Sequence, residues 1–542
     1  MHCNPNRRQH QKRLGRGNIT LEMKTLSKSK YLSFCQCKKA LWLNVNKPNE
    51  SVVDDSVQAR FSVGTEVGKL ARSLFPNAVD VTTKVGEKLD ISAMIYNTRA
   101  AINSGTEVIC EASFSCVEKG LNHYCAVDIL KRNGNSWDIY EVKSISSAES
   151  DIVENPEKFN KYAKDIAYQK WVLEKCGVSV KGTYLVTLNK KYVREDNLDV
   201  KKLFCILNLA EKVDNEIQKV PNDLPEIAEV LGGAEPATKL GAQCHKPYGC
   251  AFWQYCTTSS GVDTESKNSI FKLYRLGTAN SIEKYFDGVK TFEDIKDIKL
   301  TPVQQMQVDC TLNNKEYINI KGVKKFLENI RYPLYFLDFE TMQDAIPQYA
   351  GAKPYQQITF QYSLHYIEKE GGELKHKGYL APSDGSDPRI DLAKELCNDI
   401  PLDACIMAYN DPFEKGRIKE MAKVFPELSD HLINIHDNII DLLIPFRQGN
   451  YYNSAMGGSF SIKSVLPALF PNDSELNYHN LDELVQNGGD AMTIFPTIKD
   501  MDATSAEQAR NALLAYCRLD TLAMVRIWEK LKEVVVKNKK YV

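Results

Sequence analysis

A chain of 542 residues is several times longer than a single hydrophobic core usually grows, so two or three domains are expected. Its 43% hydrophobic and 26% charged residues are those of an ordinary globular protein, and 69 basic residues against 70 acidic ones exclude a global cationic field. Any nucleic-acid contact must then come from local basic tracks.

No apolar run approaches the ~20 residues needed to span a bilayer, and the start lacks the apolar stretch of a signal peptide, so a cytoplasmic protein without a membrane partner is expected. In that reducing setting the 15 cysteines read as core thiols or metal ligands rather than disulfides. Residues 1–22, with NRRQHQKRLGR, are basic and aperiodic and read as a disordered extension; a basic arm on nucleic acid is the alternative.

Residues 23–256 open with a helical pattern and pass into three apolar-rich strands, EVICEASFSC, YCAVDILKRN and SWDIYEVKSI, divided by Lys119-Gly120 and Asn133-Gly134-Asn135. A helix follows, because Ala163, Ile166, Ala167, Lys170 and Leu173 recur at i, i+3 and i+4. Glu141 and Lys143 share one strand face, and a hairpin across Asn133-Gly134 brings Asp128 beside them. An isolated E-x-K pair is ordinarily a solvated charge pair, so the ordered set matters more than the pair. Beyond the helix, Cys244, Cys250 and Cys256 stand at even spacing, with Cys35 and Cys37 far upstream.

Residues 257–330 begin with the breaker-rich TTSSGVDTESKNS and continue as short Lys-rich amphipathic helices, a linker and helical connector. Residues 331–542 open on the apolar strand YPLYFLDFET, followed by ITFQYSLHYIE, the short run CIMAYN, and a long amphipathic helix that Thr504 or Ser505 should cap. Asp338 and Glu340 lie at i and i+2 on the first strand, so both carboxylates leave one face. Acids so close repel unless a cation lies between them. Asn410 and Glu414 follow the short strand, and Tyr516 and Asp520 sit one turn apart on the last helix.

Acid-x-acid, then N-x-x-F-acid, then Y-x-x-x-D resembles the DEDDy branch of the RNase H-like 3′–5′ exonucleases. The resemblance implies two divalent cations, magnesium or manganese, held by Asp338, Glu340, Glu414 and Asp520, with Tyr516 orienting the attacking water. The family usually has Asp where Glu414 stands, and Asp441 is a competing acid. In the first domain Asp128, Glu141, Lys143 and Gln169 resemble the RecB-like PD-(D/E)XK nuclease core. The likeness implies metal at Asp128 and Glu141 and a water-positioning Lys143, with Asp165 and Glu111 as neighbouring acids. The histidine often found early in that family is replaced by Glu66 or Val67 of GTEVGKLAR. One cysteine before the core and three after it resemble the iron–sulfur subgroup, implying a [4Fe–4S] cluster, or Zn²⁺, on Cys37, Cys244, Cys250 and Cys256, with Cys35 as second choice for the first ligand.

The fold expected is thus mixed α/β, a restriction-endonuclease-like N-terminal domain joined by a helical connector to an RNase H-like C-terminal domain. The function implied is metal-dependent hydrolysis of DNA, RNA or both, with 3′–5′ exonuclease activity in the C-terminal domain and with Trp171 or Tyr192 available to stack on unpaired bases. DNA repair, defence or processing is the context the likeness suggests. The rivals are a nucleic-acid-binding scaffold with decayed sites and an iron–sulfur sensor.

Overall fold

The computed structural model describes residues 23–52, 55–296 and 298–537, with side chains of 55–61 left out; the extension read at 1–22 lies outside the described residues. The architecture is mixed α/β, 48% helix and 20% strand, built on two large sheets. Among the described residues no helix is long and apolar enough to cross a membrane.

The first sheet comprises β1 (Thr25–Ser27), β2 (Val79–Asp80), β3 (Val108–Glu118), β4 (Leu121–Asn133), β5 (Ser136–Ser147), β6 (Val180–Asn189) and β7 (Phe204–Asn208). Its order is β2–β3–β4–β5–β6–β7, with β1 parallel to β4. β3, β4 and β5 form an antiparallel meander; the β3–β4 turn is Lys119-Gly120, both at positive φ (50° and 74°), which matches the natural twist of a tight hairpin. β5 and β6 run parallel, so their connection crosses a face, carrying helix α4 (Asn160–Lys175) after α1 (Lys28–Gln36), α2 (Lys38–Asn46) and α3 (Asp55–Arg72). Cys125 and Val127 of β4 share one core with Ile166 and Ala167 of α4, while Val67 and Ala71 of α3 share a second core with Ile129 and Tyr140. β4 and β5 pair only from Ile129–Asn133 with Ser136–Tyr140. Past Asp128 and Glu141 they part, and the sheet opens there.

The second sheet comprises β8 (Leu334–Gln343), β9 (Gln357–Ile367), β10 (Lys375–Leu380), β11 (Cys405–Ala408) and β12 (Ile439–Asp441), ordered β10–β9–β8–β11–β12. β8–β9–β10 are antiparallel, whereas β8, β11 and β12 are parallel. Helix α5 (Pro412–Val424) follows β11, and the 35-residue α6 (Ala503–Lys537) lies over the face that carries Leu334 and Phe336. Its buried stripe, Ala509, Leu513, Tyr516, Asp520, Ala523, Ile527, Leu531 and Val534, keeps i+3/i+4 spacing throughout. Asp502, rather than Thr504 or Ser505, caps it: its Oδ1 accepts from the N–H groups of both (3.0 and 3.1 Å), because an Asp one residue earlier reaches those free N–H groups.

The expected connector is only partly a linker. Met306, Cys310, Val323 and Phe326 belong to the same core as Phe336 and Trp528, and Glu316–Ile318 pairs with Tyr451–Asn453. Its apolar helix faces therefore bury against the second sheet's unit rather than bridging open space.

Candidate functional site

β8 is apolar on both faces because both are covered: Tyr335, Leu337 and Phe339 enter one core, Leu334 and Phe336 the other. Asp338 and Glu340 continue the Leu334–Phe336 row, so the two-residue period aims them at α6. There the helical stripe supplies Tyr516 and Asp520 in place of apolar residues. Asp338, Glu340, Tyr516 and Asp520 line one cavity of about 300 Å³, with Lys463 on its wall. Asp338, Glu340 and Cys517 present donor atoms all within 4.8 Å of one another.

Burial, then repulsion from Asp520 and Glu340, holds the Asp338 carboxyl well above the usual carboxylate range. Burial and Asp520 raise Glu340 likewise, against the Lys463 ammonium. Burial pushes Asp520 up to about 6 although Tyr478 Oη donates to its Oδ1 (2.5 Å). Lys463 itself donates to the carbonyl of Gln486 (3.1 Å) and lies 5.3 Å from the Tyr516 ring centre, so it offsets the acids only at longer range. Acids gathered this closely favour taking up a cation or protons.

Glu414 opens α5, is 3% exposed, and does not line the cavity, although its charge reaches Asp338 and Glu340. Its Oε2 has no hydrogen-bond partner among the described residues, and burial pushes it up to about 8. Asp441, the competing acid, is already engaged: it accepts from the N–H groups of Asn410 (2.9 Å) and Leu443 (2.9 Å) and from Arg447 (3.0 Å). It fixes the left-handed turn at Asn410 (φ 68°) that starts α5.

In the first sheet, the opening between β4 and β5 gathers a second set. Gln169 Nε2 donates to Glu141 Oε2 (2.7 Å) and to Asp165 Oδ1 (3.0 Å). Lys143 Nζ bridges Glu141 (2.6 Å) and Asp165 (3.0 Å), and Lys28 Nζ, from the start of α1, reaches the same two acids (2.9 and 3.5 Å). Burial would raise Glu141, but the Lys143 and Lys28 ammoniums outweigh it and hold its carboxyl below the usual range. Asp128 stands apart, accepting from Val142 N–H (2.7 Å), and is pushed up to about 7 by burial and then by Glu141. It lines a cavity of about 590 Å³ with Glu111, Lys143 and Arg72, and Arg72 pairs with Glu111 (2.7 Å). From α3 that cavity receives Gly64 and Gly68; Val67 is buried and Glu66 exposed, and neither lines it.

Cys37, Cys244, Cys250 and Cys256 line one narrow space of about 20 Å³. Cys35 does not; it faces a different cavity beside Lys143, and burial pushes its thiol up to about 11. The stretch bearing three of the cysteines is stitched to the N-terminal helices by Gln36 Nε2, which donates to the carbonyls of Gln243 (2.8 Å) and Tyr248 (2.9 Å), and by Lys39–Glu235 (2.9 Å). Trp171 and Tyr192, expected to stack on bases, are 6% and 5% exposed. Trp171 packs edge-on against His123 (4.9 Å between ring centres), and the Tyr192 hydroxyl accepts from Asp199 N–H (3.1 Å), so neither offers a free face. Sequence spacing gave no sign of Lys28, Lys463, Tyr478 or Cys517, which reach these clusters through tertiary contacts.

Residues 335–461 match a domain of unknown function (DUF2779), a segment that holds Asp338, Glu340 and Glu414 but stops short of Tyr516 and Asp520. No curated protein matches the chain.

Proposed function

We propose that the chain is a metal-dependent nuclease whose principal site is the cavity of Asp338, Glu340, Tyr516 and Asp520. The observation that carries this reading is the convergence of three carboxylates from β8 and α6, Glu340 and Asp520 buried and Asp338 half-buried, none of them ion-paired with a Lys or Arg among the described residues. The strand order β10–β9–β8–β11–β12, three antiparallel then parallel, supports the RNase H-like reading of this unit, and the β-meander with its α4 crossover supports the restriction-endonuclease-like reading of the first. Hard carboxylate oxygens suit magnesium or manganese. Asp338, Glu340 and Asp520 would hold them, with Glu414 as the remaining acid. When bound, such ions neutralise charge on the phosphodiester and lower the barrier to attack by water. The chain's own part is to fix the acids by packing, to orient water with the Tyr516 hydroxyl, and to offer the Lys463 ammonium on the cavity wall.

At the first sheet, Asp128, Glu141, Lys143 and Gln169 support a second nuclease site. There Lys28 and Lys143 already balance Glu141 and Asp165, so metal demand is weaker than at the second sheet. That balance favours, for this unit alone, the reading of a binding module with reduced cleavage. The four cysteines fit a thiolate-bound centre. An iron–sulfur cluster is the centre the resemblance implies, with zinc as the alternative on the same four thiolates.

The test is incubation of the purified protein with 5′- and 3′-labelled single and double strands of DNA and RNA, with manganese and with chelator. Stepwise loss from the 3′ end that chelator stops is expected. An intact strand under every manganese condition would leave only the nucleic-acid-binding or sensor readings.

A further inference from the structure

The cavity beside Lys143 on the α1 side, about 520 Å³, is walled by α1, by residues 157–165 and by Pro247-Tyr248 of the cysteine stretch. Lys143 and Asp165 also line it, so it adjoins the Glu141 cluster to which Lys143 is ion-paired. Lys143 also lines the Asp128 cavity, which places the cluster between two hollows. Three lysines of the wall differ in how they are used. Lys158 is tied to Asp151 (3.3 Å) and the Ser146 carbonyl (3.0 Å). Lys161 and Lys164 make no ion pair among the described residues, and Lys161 Nζ sits 4.9 Å from the Tyr162 ring centre and 5.8 Å from that of Tyr248. Tyr162 is 8% exposed and structural, whereas Tyr248 is 48% exposed and presents an open aromatic face. Two free ammoniums beside an exposed aromatic, opening onto a carboxylate–lysine cluster, are complementary to a phosphate backbone with an unstacked base.

We infer that this cavity is a binding subsite for single-stranded nucleic acid, with Tyr248 stacking one base and Lys161 and Lys164 holding the adjoining phosphates. The inference rests on the reading of the Glu141 cluster as a nuclease or nucleic-acid-binding site. A paired duplex has no base free to lie on Tyr248, so the occupant is a single strand. Because Tyr248 hangs from the stretch between Cys244 and Cys250 and its carbonyl is held by Gln36, the cysteine centre would set the position of the stacking face.

The test uses the full-length protein, chelator to prevent cleavage, and fluorescein-labelled oligo-dT and oligo-rU in anisotropy titrations from low to moderate salt. Tyr248→Ala should weaken binding by about 5- to 100-fold, and Tyr248→Phe, which keeps the ring, should bind as the wild type does. Lys161→Ala with Lys164→Ala should lower the slope of log affinity against log salt by about 1.4, two phosphates at ~0.7 each. Thermal melts of every variant guard against misfolding. Wild-type affinities in all three variants, or a wild-type protein that binds neither oligonucleotide at low salt, would overturn the subsite. Strands bound in this way by a protein that cleaves nothing with manganese would keep the subsite and remove the nuclease reading. Lys143-dependent cleavage unaffected by Tyr248→Ala or the double lysine variant, with binding also unaffected, would do the reverse.

Discussion

Asp338, Glu340 and Asp520 occupy positions where the packing pattern asks for apolar side chains, and their protonation follows from that placement. In the unfolded chain such carboxyls titrate near ~4. In the folded metal-free chain burial and repulsion from neighbouring acids hold Asp338 and Glu340 well above that range, and burial pushes Asp520 up to about 6. From about pH 4 upward the folded state therefore binds more protons than the unfolded one, so stability falls as pH rises through the folded values. A divalent cation removes the repulsion. Added manganese should raise Tm more at pH 8 than at pH 5, and Asp338→Asn should flatten both the metal-free pH slope and the manganese shift; equal shifts at the two pH values would count against a carboxylate metal site. For catalysis, Tyr516→Phe keeps the ring and should slow 3′-end digestion by about 100-fold or less, whereas Asp520→Ala should abolish it, as read by product ladders. At this scale the acids were legible because a carboxylate on a core-facing period is conspicuous. Lys463, Tyr478 and Lys28 were not, since each joins its cluster across long sequence separations and stands in an ordinary local pattern.

At the scale of elements, strands β3, β4, β5, β8, β9 and β11 and helices α4 and α6 follow hydrophobic period closely and are legible in the sequence to within a few residues, whereas β1, β2, β6, β7, β10 and β12 are not marked there. Ends and contacts are not marked either. Three neighbouring polar residues, Asp502, Thr504 and Ser505, each suit a helix start, and only the direction of chain entry selects Asp502. Trp171 looked available because aromatic composition does not say which face a helix buries. The cysteine stretch illustrates the opposite case, for Cys37 and not Cys35 joins the other three because α1 ends and α2 begins at that residue. Cys250→Ser should remove iron and acid-labile sulfide together and lower the Tm of the first unit while 3′-end digestion by the second persists. Metal analysis that finds zinc and no sulfide would replace the cluster with a zinc clasp.

At the scale of the molecule, the two units touch through the loop between β8 and β9. Arg194 N–H donates to the Ala352 carbonyl (2.9 Å), Gly351 N–H to the Arg194 carbonyl (2.7 Å), and Arg194 Nη1 to the Pro347 carbonyl (2.7 Å). Ala345 is buried in the core that holds Val67 and Tyr140, and the Tyr355 hydroxyl donates to the carbonyl of Ser144, next to Lys143. No residue pattern marks this joint, because its partners lie on opposite sides of the connector and are mostly backbone groups. None of the proposed metal ligands takes part in it, so the two sites should remain chemically separable: Asp338→Ala should end 3′-end digestion and spare any Lys143-dependent activity, and Lys143→Ala should do the converse. Tyr355→Phe probes the joint itself. It removes one hydroxyl from the Ser144 carbonyl while leaving the ring in place, so it should relax the backbone that carries Lys143 and lower Lys143-dependent cleavage or oligonucleotide binding. Digestion through Asp338 and Asp520 should hold, since β8 and α6 are braced by their own core. Equal loss at both sites in Tyr355→Phe would mean that the loop transmits strain in both directions, and unchanged activity at both would mean that the joint only holds the units together.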